Sequence, residues 1–200
     1  MRHVLSVLGY VGGSNLRAAV PAHADAGAAI HCPPYSFLNN VNYATNPGFE
    51  IVGPNGILTT WQNGDPTPAP SAAAGWSMHS SNAGARVLSE LVTTHAPGPN
   101  GARMLRFVAG GNEGGIYQLI NNPPAKVMFS AWVFVRSGRA ELQADALTQG
   151  PVAWTTKTGE WEQLRVCTDG SVPPNWFLIY NQDPRGGEFY VDRVEVRALP

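Results

Sequence analysis

The chain is short of charge. Lysine and arginine number 13 and aspartate and glutamate 14 among 200 residues, 14% in all, against about 25% in an ordinary soluble domain. Lys126 and Lys157 are its only lysines, whereas solvent-facing helices normally carry many Lys and Glu on their polar side. A mostly helical fold is therefore disfavoured. A net charge of −1 leaves no surplus of cations to grip nucleic-acid phosphates or an anionic membrane surface. No apolar run reaches the length of about 18 residues that a spanning helix needs. Motifs with built-in chemistry are missing too: there is no Gly-x-Ser-x-Gly, His-Glu-x-x-His or Cys-x-x-Cys. The run Gly110-Gly-Asn-Glu-Gly-Gly115 lacks the Lys-Ser/Thr ending of a phosphate loop. His79 and His95 stand alone near turns, while Glu160 and Glu162 share a predicted strand with nothing to split their roles. These absences predict a chain that is not an enzyme.

What is present is punctuation. Glycine (22) and proline (17) mark turns at intervals from residue 42 onward, among them Pro47-Gly48, Asn63-Gly64, Ser137-Gly138, Thr158-Gly159 and Pro184–Gly187. Strands are predicted between them at 57–61, 75–79, 86–92, 103–109, 115–120, 126–136, 139–147, 152–157, 161–168, 176–181 and 188–197. Many short strands at this spacing predict an all-β antiparallel fold, a sandwich or a barrel. Residues 1–41 form a different segment. They are rich in Ala, Gly and Pro, and between Arg17 and Glu50 only Asp25 is charged. Met1–Gly13 followed by the small residues at 22–26 reads either as a cleaved secretory signal or as a retained, anchoring N-terminal arm. The all-β domain occupies 42–200.

Alternation assigns the faces. Ala140, Leu142, Ala144 and Ala146 are expected inward, with Arg139, Glu141, Gln143 and Asp145 outward. Val127, Phe129, Ala131, Val133 and Val135 form a second core row, and Phe177 and Ile179 a third. The outward rows of 139–147 and 176–181 then bring Arg139, Gln143, Trp176 and Tyr180 to one shallow groove, with Trp154 nearby. Aromatic rings beside forked polar groups suit sugars, since rings stack on the apolar face of a pyranose and polar groups take its hydroxyls. The alternative is that loops or the arm cover this face. Cys32 in the arm and Cys167, outward with Gln163 and Arg165, either remain free thiols or join and pin the arm to the sheet.

Six segments in order carry a resemblance: Asn46-Pro-Gly-Phe-Glu50, Gly75-Trp-Ser77, Tyr117-Gln-Leu-Ile120, Phe129-Ser-Ala-Trp-Val133, Gly159-Glu-Trp-Glu-Gln-Leu164 and Phe189-Tyr-Val-Asp-Arg-Val-Glu-Val196. Together they resemble the carbohydrate-binding modules of the galactose-binding-like jelly-roll class over about residues 42–198. The opening Thr45–Glu50 is also similar to segments of phage minor tail and other virion proteins. The resemblance implies a two-sheet antiparallel jelly-roll β-sandwich that binds a glycan or polysaccharide, outside the cell or on a cell or virion surface. It implies packing positions in the core for Trp76, Trp132 and Trp161, and for Gln118 a role in satisfying backbone groups. It also implies a structural Ca2+ where the first and last strands meet, with Glu50 and Asp192 as carboxylate ligands. Unbroken alternation over 188–197 puts Tyr190, Asp192, Val194 and Val196 inward, where a lone carboxylate is costly unless paired or metal-bound. A salt bridge or hydrogen-bonded cap without metal is the alternative there. Relatives often carry a second Asp where this chain has Arg193.

Three functions are compatible with these residues. The first is a glycan-binding module. The second is a virion decoration, tail or fibre protein, held to other assembly proteins through residues 1–45. The third is a small jelly-roll glycosidase or lyase.

Overall fold

The computed structural model describes residue 32 and residues 36–53, 60–62, 73–80, 86–91, 101–109, 114–144, 150–170, 174–181 and 183–200. The leader-like residues 1–26, Glu113, His95, Asp145 and Ala146 lie outside the described residues. Eleven strands follow one another: β1 (Thr60–Gln62), β2 (Ser77–Ser80), β3 (Arg86–Leu91), β4 (Arg103–Ala109), β5 (Gly114–Leu119), β6 (Val127–Ser137), β7 (Ala140–Ala144), β8 (Val152–Trp154), β9 (Trp161–Cys167), β10 (Trp176–Asn181) and β11 (Gly187–Ala198). Each falls on a predicted segment. All pairings are antiparallel, in a six-stranded sheet β1-β3-β4-β11-β6-β9 and a five-stranded sheet β2-β5-β10-β7-β8. The result is a jelly-roll β-sandwich.

The core lies between the sheets, where the predicted inward rows meet. Val127, Phe129, Ala131, Val133 and Val135 of β6 pack against Ala140, Leu142, Ala144, Phe177 and Ile179 of the other sheet, all fully or almost fully buried. Phe129 meets Phe177 edge-on across the gap, with centroids 5.0 Å apart. Such contacts each add about 0.5–1.5 kcal/mol beyond area burial. Trp76 is a core residue, packed on Phe49 and donating its indole N–H to the Thr45 and Asn46 carbonyls.

The opening segment is a tight knot. Asn46 (φ 47°) and Phe49 (φ 57°) take left-handed backbone conformations, uncommon outside glycine. The Asn46 side chain compensates: its Nδ2 donates to the Ile51 and Ala74 carbonyls and its Oδ1 accepts from the Ile51 N–H. Gln118 does serve backbone groups, since its Oε1 accepts from Thr45 N–H and its Nε2 donates to the Thr45 and Gly75 carbonyls. Before this knot, residues 38–43 run along the C-terminal half of β11, with Leu38 N–H donating to Ala198 O and Tyr43 N–H to Val196 O.

Two expectations change. β11 does not alternate without a break, because Arg193 sits at φ 48° and the register with β6 shifts between Asp192 and Glu195. This bulge inserts a residue and flips the parity. Phe189 and Val191 therefore face the core before it and Val194 and Val196 after it, so Tyr190 and Asp192 lie on the other face. Trp132 and Trp161 are likewise outside the core. They are half-buried on the outer face of the six-stranded sheet, because the core row of β6 is the alternate one, and Trp161 packs there on Phe134.

Cys32 and Cys167 are joined in a disulfide, with Cα atoms 5.4 Å apart and a sequence separation of 135. Cys167 is opposite Met128 in the register of β6 and β9, so the bond ties the arm to the outer side of the six-stranded sheet.

Candidate functional site

The outer face of the five-stranded sheet carries the five residues expected of a groove. Register fixes their order across the strands. Tyr117, Leu178, Gln143 and Val152 form one row, and Gly115, Tyr180, Glu141 and Trp154 the next. Trp176 starts β10 opposite Leu119, and Arg139 precedes β7 on the Ser137-Gly138 turn, where Gly138 is at φ 76°. From Trp176 to Tyr180 is four residues, or about 13 Å along the strand.

The two ends of this face differ from its middle. At one end Trp176 stacks on Tyr117, with centroids 4.6 Å apart and planes within 13°, and Leu119 beside it is 53% exposed. At the other end the Arg139 guanidinium lies 4.0 Å above the centre of the Trp154 ring. Between them the floor is closed. Tyr180 (8% exposed), Gln143 (9%) and Glu141 (2%) are buried although they point away from the core. β10 and β7 are inner strands, so each of these side chains is flanked across both neighbours. The Tyr180 hydroxyl donates to Glu141 Oε1 at 2.9 Å. Gly115 makes room for Tyr180: a methyl group on it would lie 2.3 Å from Tyr180 Cβ and 2.2 Å from the Ile179 carbonyl.

Beside the Arg139 end is an open cleft of about 430 Å³ lined by Arg139, Trp154, Asp183, Pro184 and Arg185. Asp183 and Arg185 pair through Nε to Oδ1 at 3.2 Å and Nη2 to Oδ2 at 3.4 Å. The Arg185 backbone N–H, then its guanidinium, holds the Asp183 carboxyl below its ordinary range. Parity placed Glu141 outward, but neither it nor Tyr117, Asp183 and Arg185 was expected at the groove. Parity also makes Tyr117 an outward residue on a predicted strand. The Asp183–Arg185 pair belongs to a turn recognised only by its Pro184 and Gly186.

The expected metal residues meet elsewhere. A methyl group on Gly48 would be 4.0 Å from both Glu50 Oε1 and Asp192 Oδ1, so the two oxygens are no more than twice that distance apart. Asp192 is wholly buried, and its Oδ1 accepts from the Arg193 N–H at 2.6 Å. Glu50 Oε1 accepts from the N–H groups of Ala102 and Arg103 at 2.8 and 3.0 Å. Two neighbouring carboxylates are donors of the kind a hard cation takes. Among the described residues no third His, Cys, Asp or Glu joins them. At the other edge, Glu162 accepts from the Thr156 and Lys157 N–H groups and from the Thr156 hydroxyl, while Glu160 pairs with Lys157. Both have structural partners.

No protein-family model matches the chain, and no curated protein matches it significantly. Solved structures do. A proposed sugar-binding protein from Bacteroides thetaiotaomicron VPI-5482 superposes with a TM-score of 0.55 at 9% identity, covering 80% of this chain and 100% of that one. A family 61 carbohydrate-binding module solved with beta-1,4-galactotriose has a TM-score of 0.48 and 14% identity, over 78% and 97% of the two chains. The family 22 xylan-binding domain of a Paenibacillus barcinonensis protein has a TM-score of 0.46 and 14% identity, over 74% and 96%. At such identities the likeness is one of fold.

Proposed function

We propose that this chain is a non-catalytic module that binds a glycan or polysaccharide on the outer face of its five-stranded sheet. The observation that carries the reading is the arrangement of Trp176, Gln143, Tyr180, Trp154 and Arg139 along one face. Trp176, backed by Tyr117, offers an apolar platform at one end. Arg139 offers a polar one at the other. The buried floor between them holds its side chains fixed, so little ordering entropy is lost on binding. Sugars bind weakly, because each hydroxyl contact replaces one to water. Affinity is expected between about 10 μM and 1 mM.

A glycan array followed by native electrophoresis through gels containing the polysaccharides that bind tests the proposal. Retardation by a defined polysaccharide supports it. If the array is blank and cross-linking shows the arm of a neighbouring copy in the groove, the same surface is an assembly contact, and the virion-type structural reading replaces this one.

We further propose that Glu50 and Asp192 hold Ca2+ with nearby carbonyls, fastening the opening knot to the β11 bulge. The ion would neutralise a buried carboxylate and tie two distant segments together. Loading with Ca2+ should then raise the melting temperature by mass action and chelation should lower it. Equal melting of calcium-loaded and chelated protein would refute the site. The disulfide supports an oxidising setting, outside the cell or on a cell or particle surface.

A further inference from the structure

We infer that the Arg139 end of this face recognises the anionic substituent of an acidic glycan, a uronate carboxylate or a sulfate; the inference rests on the glycan-binding reading above. It begins with what Arg139 does. Its guanidinium lies 4.0 Å over the Trp154 ring, and among the described residues it has no hydrogen bond or ion pair. The residue is exposed, so its edge N–H groups are open to a ligand.

Charge in the cleft is unequal. Arg139 and Arg185 both line it, and among the described residues Asp183 is its sole carboxylate. Asp183 is engaged by Arg185 through both oxygens. Glu141, opposite Trp154 in the register, does not line the cleft; it is buried beneath the face with Tyr180 bonded to it. Among the described residues that line the cleft, the cations therefore outnumber the carboxylates by one.

The stacking decides what that charge can read. A guanidinium centred over an aromatic ring is held there by the ring's negative face, and its fork of N–H donors matches the paired oxygens of a carboxylate or sulfate. Stacking also fixes the long Arg side chain before the ligand arrives, removing part of the entropy cost of ordering it. It covers one face of Trp154, so that face does not serve as a platform for a sugar ring. Trp154 thus acts as a positioning residue for Arg139, while Trp176 remains the ring platform. The two ends of the groove have different chemistry, one reading apolar ring surface and the other an anion.

The test uses the whole chain on an array of acidic polysaccharides, each printed beside its carboxyl-reduced or desulfated form, followed by calorimetric titration of the pairs that bind. The neutralised form should bind about tenfold more weakly or worse, as expected for losing charge-assisted hydrogen bonds. The preference should shrink with added salt. Arg139→Gln should abolish the preference. Trp154→Ala should weaken it, and Trp154→Phe should restore most of it, a pattern that loss of packing alone would not produce. The carboxyl-reduced and desulfated arms tell which anion is read. Equal binding of acidic and neutralised forms, or a preference that survives Arg139→Gln, overturns the inference while leaving glycan binding intact. Failure of every glycan, charged or neutral, removes the underlying reading and the inference with it.

Discussion

Removing the Cys32–Cys167 bond should cost this fold several kcal/mol, nearly all of it through the unfolded state. The bond spans 135 positions. Closing a loop of that length removes chain entropy from the unfolded ensemble worth about 5 kcal/mol at 25 °C. The folded state gives little of this back. By Leu38 the chain is already bonded to Ala198, so a severed arm gains freedom only over the residues before that contact. For a chain of this size, about 5 kcal/mol corresponds to a fall in melting temperature of about 10–20 °C. The assay is calorimetric melting of the Cys32→Ala/Cys167→Ala double variant beside the oxidised parent, with thiol mapping to establish that the parent carries the bond. Alanine is chosen because Cys167 is buried and a hydroxyl there would add its own burial cost. A shift under about 2 °C, in a parent shown to be oxidised, would refute the loop-closure argument.

Two further changes probe the sheets. Burial by itself would raise the Glu188 carboxyl, but Arg106, the Tyr190 hydroxyl and Arg136 outweigh it and hold it below its ordinary value. The resulting stability is present above the unfolded value of about 4.3 and is lost as pH falls through the lower folded one. Glu188→Gln should therefore destabilise by about 1–2 kcal/mol at neutral pH and flatten the acid limb of stability against pH; an unchanged acid limb would contradict this. Gly115→Ala should cost at least about 1–3 kcal/mol, because the new methyl group meets backbone and Tyr180 Cβ. Chemical denaturation measures that loss, and a neutral substitution would mean that the strands separate there more easily than their spacing suggests.

Much of the fold was legible because it rests on local signals. Turn residues and period-two rows placed eleven strands and three core rows, including Val127–Val135, without any knowledge of which strands pair. Where one inserted residue mattered, legibility stopped. Arg193 in a left-handed conformation gives no signal in its side chain, yet it reverses the face of every residue before it on β11. Asp192 is buried as expected, but by the opening knot rather than by an apolar row. The groove was legible in membership and illegible in character. Parity gave the outward sides of β7 and β10, whereas the burial of Tyr180, Gln143 and Glu141 depends on neighbours that only the strand order supplies. The Arg139–Trp154 stack joins a hairpin turn to an edge strand through side-chain reach, which no spacing rule encodes.

Titration calorimetry of the parent and of Trp176→Ala, against whichever oligosaccharide the array selects, tests the glycan-binding claim most directly. Trp176 is half-buried at the rim, stacked on Tyr117, so its removal should leave the core and the melting temperature nearly intact. The parent should bind weakly and saturably, and the variant should lose at least about 1 kcal/mol, or roughly fivefold. Binding of equal strength by both proteins would mean that sugars dock elsewhere, and no binding by the parent would contradict the proposed function itself.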